Sequence, residues 1–450
     1  MTTTTAALHR RRESRTTSSP NRDGVHANFP SAMFRRGAVS LVAAIVLAAC
    51  GGGGGGGDSA ETPTVINTPA NTPTQPPVED FDRRALLDSY TQRVVLPALR
   101  AAAIDADALE TAARALAVAA ADGSPATTEK QAAQSAWRTA MESWQAVEVM
   151  QVGPAGSANM VMGGLGLRDE IYSWPTINPC RVDQETVSGD YLNDDFFSVE
   201  LVNTRGFDAI EYLLFDEGDD NACAAGVDIN AEGTWDALVA SGDLAARRAA
   251  YAEGAAADVA AHAAQLRDAW EPTLGNFAGQ LSNAGLSGSQ FATAHDGVND
   301  VFAALFYVEL RVKDRKLAAP AGISPDCSDA TCPQLLESLW ANASKEHVLA
   351  NLRAAERTFL GGSDSSGVGF DDFLIALGAS DLAATMLADL RAAIAATEAV
   401  PGTFADALED DPELVRGVHA ALKLFTDNLK SQFVTVLNLE IPSEGAGDND

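Results

Sequence analysis

Residues 206–215 read Gly206-Phe207-Asp208-Ala209-Ile210-Glu211-Tyr212-Leu213-Leu214-Phe215. On a helix this stretch is apolar nearly all round, so it belongs inside a protein rather than on its surface. Asp208 and Glu211 nevertheless stand three residues apart, on one helical face. A buried carboxylate must be paired, protonated or bound to a metal, because leaving it bare costs several kcal/mol. Two adjacent ones also raise each other's pKa. Three answers are open: an arginine such as Arg205 or one from another helix, a metal ion, or a proton held by an acid–base pair.

Working outward, the chain stays helical. Alanine is abundant, only 6% of residues are aromatic, and few stretches favour strands. Leu87, Tyr90, Val94, Leu96 and Leu99 keep a helical stripe, with a kink expected at Pro97. A segment from 106 to 121 follows. Trp137, Met141, Trp144 and Glu148 then share one helix face, so Glu148 poses the same question as Asp208 and Glu211. Residues 155–200 look irregular. Later helices are expected near 244–270, 289–317, 334–341, 347–360, 370–377, 380–397 and 411–435. Lys313 sits near the end of its segment, where a cation suits the helix dipole or could face the acids across a cleft.

The formal charge is −31, and the first fifty residues carry seven arginines against Glu13 and Asp23, so the acidity lies in the body. Such a surface repels nucleic acid and anionic lipid and suits cations, basic partners or simple solubility, and a solvated acidic face is the expected reading for most of these charges. Near the start, Arg35-Arg36 precede an apolar run ending Leu47-Ala48-Ala49-Cys50, too short to span a membrane as a mature helix. That ending resembles a bacterial lipobox, which implies cleavage before Cys50, its lipidation, and a membrane anchor without a span. Met33 lies at a more usual distance from this run, so the true start is open. Gly51–Gly57 and the Ser/Thr/Pro-rich residues to Val78 read as a tether. By resemblance to enterobacterial sorting rules, Gly51 in place of an aspartate after Cys50 implies the outer membrane.

Cys180, Cys223, Cys327 and Cys332 remain, an even number suited to disulfides outside the cytoplasm. Cys327 with Cys332, and Cys180 with Cys223, are the expected pairs. The chain has no His-Glu-x-x-His, no Gly-x-Ser-x-Gly and no phosphate-cradling glycine loop, so no nucleotide cofactor is expected.

Several segments together resemble the imelysin-like family of bacterial surface and periplasmic proteins. They are Trp137-x6-Trp144-x3-Glu148 leading to Gly153-Pro154, Ile171-x2-Trp174-Pro175, the 206–215 stretch, Val312-Lys313-Asp314-x-Lys316-Leu317-Ala318-x-Pro320-x-Gly322, and Gly367–Leu374. The resemblance implies an all-α fold of two packed helical bundles with a site in the cleft between them. The expected division is a signal segment 1–49, a lipidated linker 50–78, a first bundle 79–240, a second 241–441 and an acidic tail 442–450. The family's Gly-x-His-x-x-Glu hallmark falls on Gly206 and Glu211, with Asp208 in the histidine position. By resemblance, Asp208, Glu211 and Glu148 are metal-ligand candidates, for iron or alternatively Ca or Mn. Trp144, Arg205 and Lys313 are further cleft candidates. The resemblance implies a link to iron acquisition, and the leading expectation is a lipid-anchored, non-catalytic protein that binds a metal ion, such as iron, between the two bundles and works with iron-uptake components. The alternatives are a metallopeptidase on the same scaffold and a surface interaction protein whose acids are structural.

Overall fold

Small side chains decide how closely the helices approach. The computed structural model describes residues 81–443 apart from 124 and 160. The signal segment, Met33, Cys50, the linker and most of the acidic tail lie outside the described residues. Every regular element among the described residues is helical, and none is long and apolar enough to cross a membrane.

Helix α1 (Leu96–Ala121) buries Ala102, Ala103, Ala106 and Ala113, and α2 (Thr127–Glu148) buries Ala133 and Ala140. After α3 (Gly206–Phe215), the long α4 (Leu244–Trp270) buries Ala252, Ala255, Ala256 and Ala263. Alanine leaves backbones free to approach, and α1 packs along both α2 and α4. Helix α3 fills the space against α2 and α4. Helices α5 (Ser344–Phe359), α6 (Ser380–Ala399) and α7 (Glu413–Asn428) pack in sequence, α5 on α6 and α6 on α7. Helix α5 also packs on α2, tying the two groups together. A wide π-helical segment, Val308–Ala318, lies against α5 and α7.

Three elements depart from expectation. Pro97 opens α1 directly after a π-helical turn, Tyr90–Val95, in which the Leu96 amide reaches back to Thr91. Proline cannot donate to the ladder, and the widened turn absorbs the loss. The segment 289–317 divides into Ala294–Leu305 and Val308–Ala318. Residues 334–341 hold only a single 3₁₀ turn, Pro333–Leu335, before an irregular loop. Their amides are spent on a side chain from α3, described below.

The structure joins Cys180 to Cys223 and Cys327 to Cys332. Beside the first pair, Ile229, Trp235, Leu238 and Leu244 form a small apolar cluster apart from the main core, with Cys223 packed against it.

Candidate functional site

Helix α3 is buried from Gly206 to Leu214. It can start where it does because residue 206 is glycine. Gly206 has φ +76, and a Cβ there would lie 2.7 Å from the Ile171 carbonyl oxygen. The close approach sets α3 against the 171–174 turn, and the acids of α3 then reach two different segments.

Asp208 is 3% exposed, and its Oδ2 accepts from the Ser173 amide at 2.8 Å and the Ser173 hydroxyl at 3.2 Å. Glu211 is 2% exposed, and its Oε1 accepts from Ser338 Oγ (2.7 Å), the Ala341 amide (2.9 Å) and the Trp340 amide (3.1 Å). Burial pushes the Asp208 carboxyl up to about 7, against the pull of Arg168 and the Ser173 bonds. Burial pushes Glu211 up to about 8, with Asp208 adding to the rise and the loop amides opposing it. Glu211 therefore keeps its proton at neutral pH.

Around this pair lies an ionic network. Glu148, the last residue of α2, accepts from Arg168 Nε (3.1 Å), from its terminal nitrogen (3.0 Å) and from the Tyr307 hydroxyl (2.8 Å). Glu337 Oε1 accepts from Gln145 (2.8 Å), the Tyr172 hydroxyl (2.8 Å) and Lys316 Nζ (2.9 Å). Its Oε2 lies 3.2 Å from His347 Nδ1. Burial alone would raise Glu337, but Lys316 and His347 hold it far below the usual carboxylate range. Lys316 also donates to Gln145 Oε1 and Asn351 Oδ1, both at 2.7 Å, so its three protons are all used. Burial lowers the Lys316 pKa, and Glu337 opposes the fall.

The arrangement bears on each chemistry in turn. Every hydrogen bond to Asp208 falls on Oδ2 and every one to Glu211 on Oε1, among the described residues. Glu148 is engaged by Arg168 and Tyr307 and does not converge on the other two acids. Among the described residues, no group of three His, Cys, Asp or Glu is placed to hold a metal ion. Asp208 and Glu211 lie buried against Ser173 and the 338–341 loop.

The family model for imelysin matches residues 95–429. The chain belongs to the imelysin family. Two solved structures share the imelysin fold with it. One is a protein named as an iron-regulated protein A precursor, from Parabacteroides distasonis ATCC 8503, with TM-score 0.60, 17% identity, and coverage of 79% of this chain and 94% of that one. The other is an imelysin-like protein from Psychrobacter arcticum 273-4, with TM-score 0.59, 17% identity, and coverage of 81% and 98%. No curated protein matches the chain.

Within this imelysin, the residues singled out from the sequence divide. Asp208 and Glu211 lie together, and Glu148 lies in the surrounding network. Arg205 turns away, to Glu170, to Asp258 at 3.3 Å and to the Glu200 carbonyl. Trp144 is buried beside Phe207, with ring centres 6.3 Å apart. Lys313 pairs with Glu309 (3.2 Å) and Asp314 (2.9 Å), and Lys316, one turn on, is the lysine that enters the network. The residues that sequence reasoning missed are Glu337, Arg168, Tyr172, Tyr307, Gln145, Asn351 and His347. Glu337 carried a readable signal: it stands in Leu335-Leu336-Glu337-Ser338-Leu339-Trp340, another acid in an apolar run.

Proposed function

We propose that this imelysin is a non-catalytic envelope protein, lipid-anchored at Cys50 and tied to iron physiology, whose buried centre is an ion-paired, hydrogen-bonded core. The observation that carries this reading is the engagement of the buried Asp208, Glu211, Glu148 and Glu337 by protein donors. A catalytic carboxylate has to reach substrate, and these are closed over by the 173 and 338–341 loops. The iron link draws on the name of the Parabacteroides relative, and the anchor on the lipobox-like ending at Cys50. Two measurements test the proposal. Mass analysis of protein extracted from membranes should find an acylated N-terminal Cys50, absent after Cys50→Ala. A peptide library incubated with the protein and Zn, Mn or Fe(II) should show no cleavage above blank. Metal-dependent cleavage lost in Glu211→Gln would establish the metallopeptidase alternative.

A second reading has one specific observation behind it. Because the bonds to Asp208 and Glu211 use one oxygen each, Oδ1 and Oε2 are left to face a cation with other ligands supplied from outside the chain. Anaerobic titration with Fe(II), and titration with Ca and Mn, decides it. Stoichiometric binding that disappears in Asp208→Asn plus Glu211→Gln favours this reading; equal behaviour of variant and wild type eliminates it.

A further inference from the structure

The helix that carries Asp208 and Glu211 ends in a half-open groove of about 390 Å³, on the far side of Leu213 and Leu214 from its start. Leu116, Leu213, Leu214 and Leu244 floor it, each under a tenth exposed. The volume falls within the roughly 300–1,000 Å³ typical of small-ligand sites. Helix ends of both polarities meet around it, the C-termini of α1 and α3 and the N-terminus of α4, so their dipoles oppose one another. Side-chain charge therefore decides its character.

Four acids line the groove, Asp216, Glu217, Asp219 and Asp243, against the two bases Lys130 and Arg248, a formal surplus of two negative charges. Arg248 is buried and engaged by the loop after α3. It donates to the Asp216 and Gly218 carbonyls (3.0 and 2.9 Å) and to Asp216 Oδ2 (2.8 Å), which also uses up the Asp216 charge. Lys130 lies 3.7 Å from Glu217. Glu217 and Asp219 are exposed at the rim. An apolar floor beneath an acidic rim is complementary to one kind of occupant.

We infer that this groove is a binding site for a small organic cation, an ammonium or guanidinium head carried on an apolar stem. The stem displaces water from the apolar wall, where Ala121, Val239, Ala245 and Ala246 are accessible over the buried leucines, and the head meets the rim acids. This site is separate from the buried centre and stands or falls independently of the reading given for it.

Calorimetric titration of the full-length protein with n-hexylammonium, n-hexanoate and n-hexanol is the test. Hexylammonium should bind saturably, with hexanoate at least about tenfold weaker because its head meets like charge. Glu217→Gln with Asp219→Asn should weaken hexylammonium by roughly threefold to fivefold while leaving hexanol unchanged, as expected of exposed charges. Ala245→Trp, at an exposed position on the groove wall, should abolish binding of both without lowering the melting temperature. Equal binding of hexylammonium and hexanoate, no saturable binding, or binding that survives Ala245→Trp overturns the assignment. A lysine-containing peptide that binds far more tightly than hexylammonium overturns its small-molecule form.

Discussion

Lys316 Nζ lies 2.9 Å from Glu337 Oε1, and neither side chain is exposed. Two charges that far from water hold together because Gln145, Asn351 and Tyr172 hydrogen-bond to them and His347 lies 3.2 Å from the second Glu337 oxygen. Removing one partner leaves the other charge buried and unmatched. Lys316→Met or Glu337→Gln alone should therefore destabilise the fold by about 3–5 kcal/mol. The double variant should cost clearly less than the two single losses added together, because no bare charge is left. Denaturant unfolding of the three variants measures this, and strict additivity would show that the pair is not coupled.

The acids of α3 make stability fall as pH rises. Asp208 and Glu211 titrate near 7 and 8 in the folded state, against ordinary values of 3.8 and 4.5. The native state thus binds more protons than the unfolded state between about pH 4 and 8. The stability they contribute is complete below the unfolded values and is lost as pH rises through the folded ones. Melting temperatures from pH 5 to 9 should drop across that window in the wild type. The drop should be shallower in Asp208→Asn plus Glu211→Gln, which cannot ionise. Parallel pH profiles would mean that the two carboxyls are not held protonated.

The same two residues show what a sequence can and cannot reveal about such a centre. Burial of α3 follows from Phe207, Ile210, Leu213 and Leu214, which leave no wet face, and the spacing of the acids follows from helical geometry. Their partners do not. Ser173 lies 35 residues from Asp208, and Ser338 lies 127 from Glu211. Such pairings exist only once α2, α3 and α5 have packed. The 334–341 stretch was misleading for the same reason: Leu335, Leu336, Leu339 and Trp340 suit a helix by composition. The Trp340 and Ala341 amides instead serve Glu211, and Ser338 and Ser344 bond to each other's segment.

Gly206 is the hinge of the arrangement, and replacing it should be costly. Alanine at φ +76 is strained, and its Cβ would press on the Ile171 carbonyl at 2.7 Å. Strain and overpacking together should cost about 2–4 kcal/mol in Gly206→Ala. The shift should also loosen the Asp208–Ser173 contact, so hydrogen exchange at the Ser173 amide should speed up more than at amides of α6. A variant as stable as wild type, with unchanged exchange at Ser173, contradicts the role given to this glycine.

The Cys180–Cys223 bond closes a loop with a sequence separation of 43, and the small cluster of Ile229, Trp235, Leu238 and Leu244 sits beside it. That cluster has few apolar neighbours of its own, so the cross-link carries much of its order. Asp183, which accepts from Tyr212 and the Ala222 amide, ties the same loop to α3. Cys180→Ser with Cys223→Ser should lower stability by about 3–4 kcal/mol on the chain-entropy account. The loss should begin locally. Limited proteolysis should cut first between residues 216 and 233 while α1, α2 and α5 stay protected, and Trp235 fluorescence should shift red before the main unfolding transition. Simultaneous loss of all signals in one transition would show that the cluster is held by the main core and not by the disulfide.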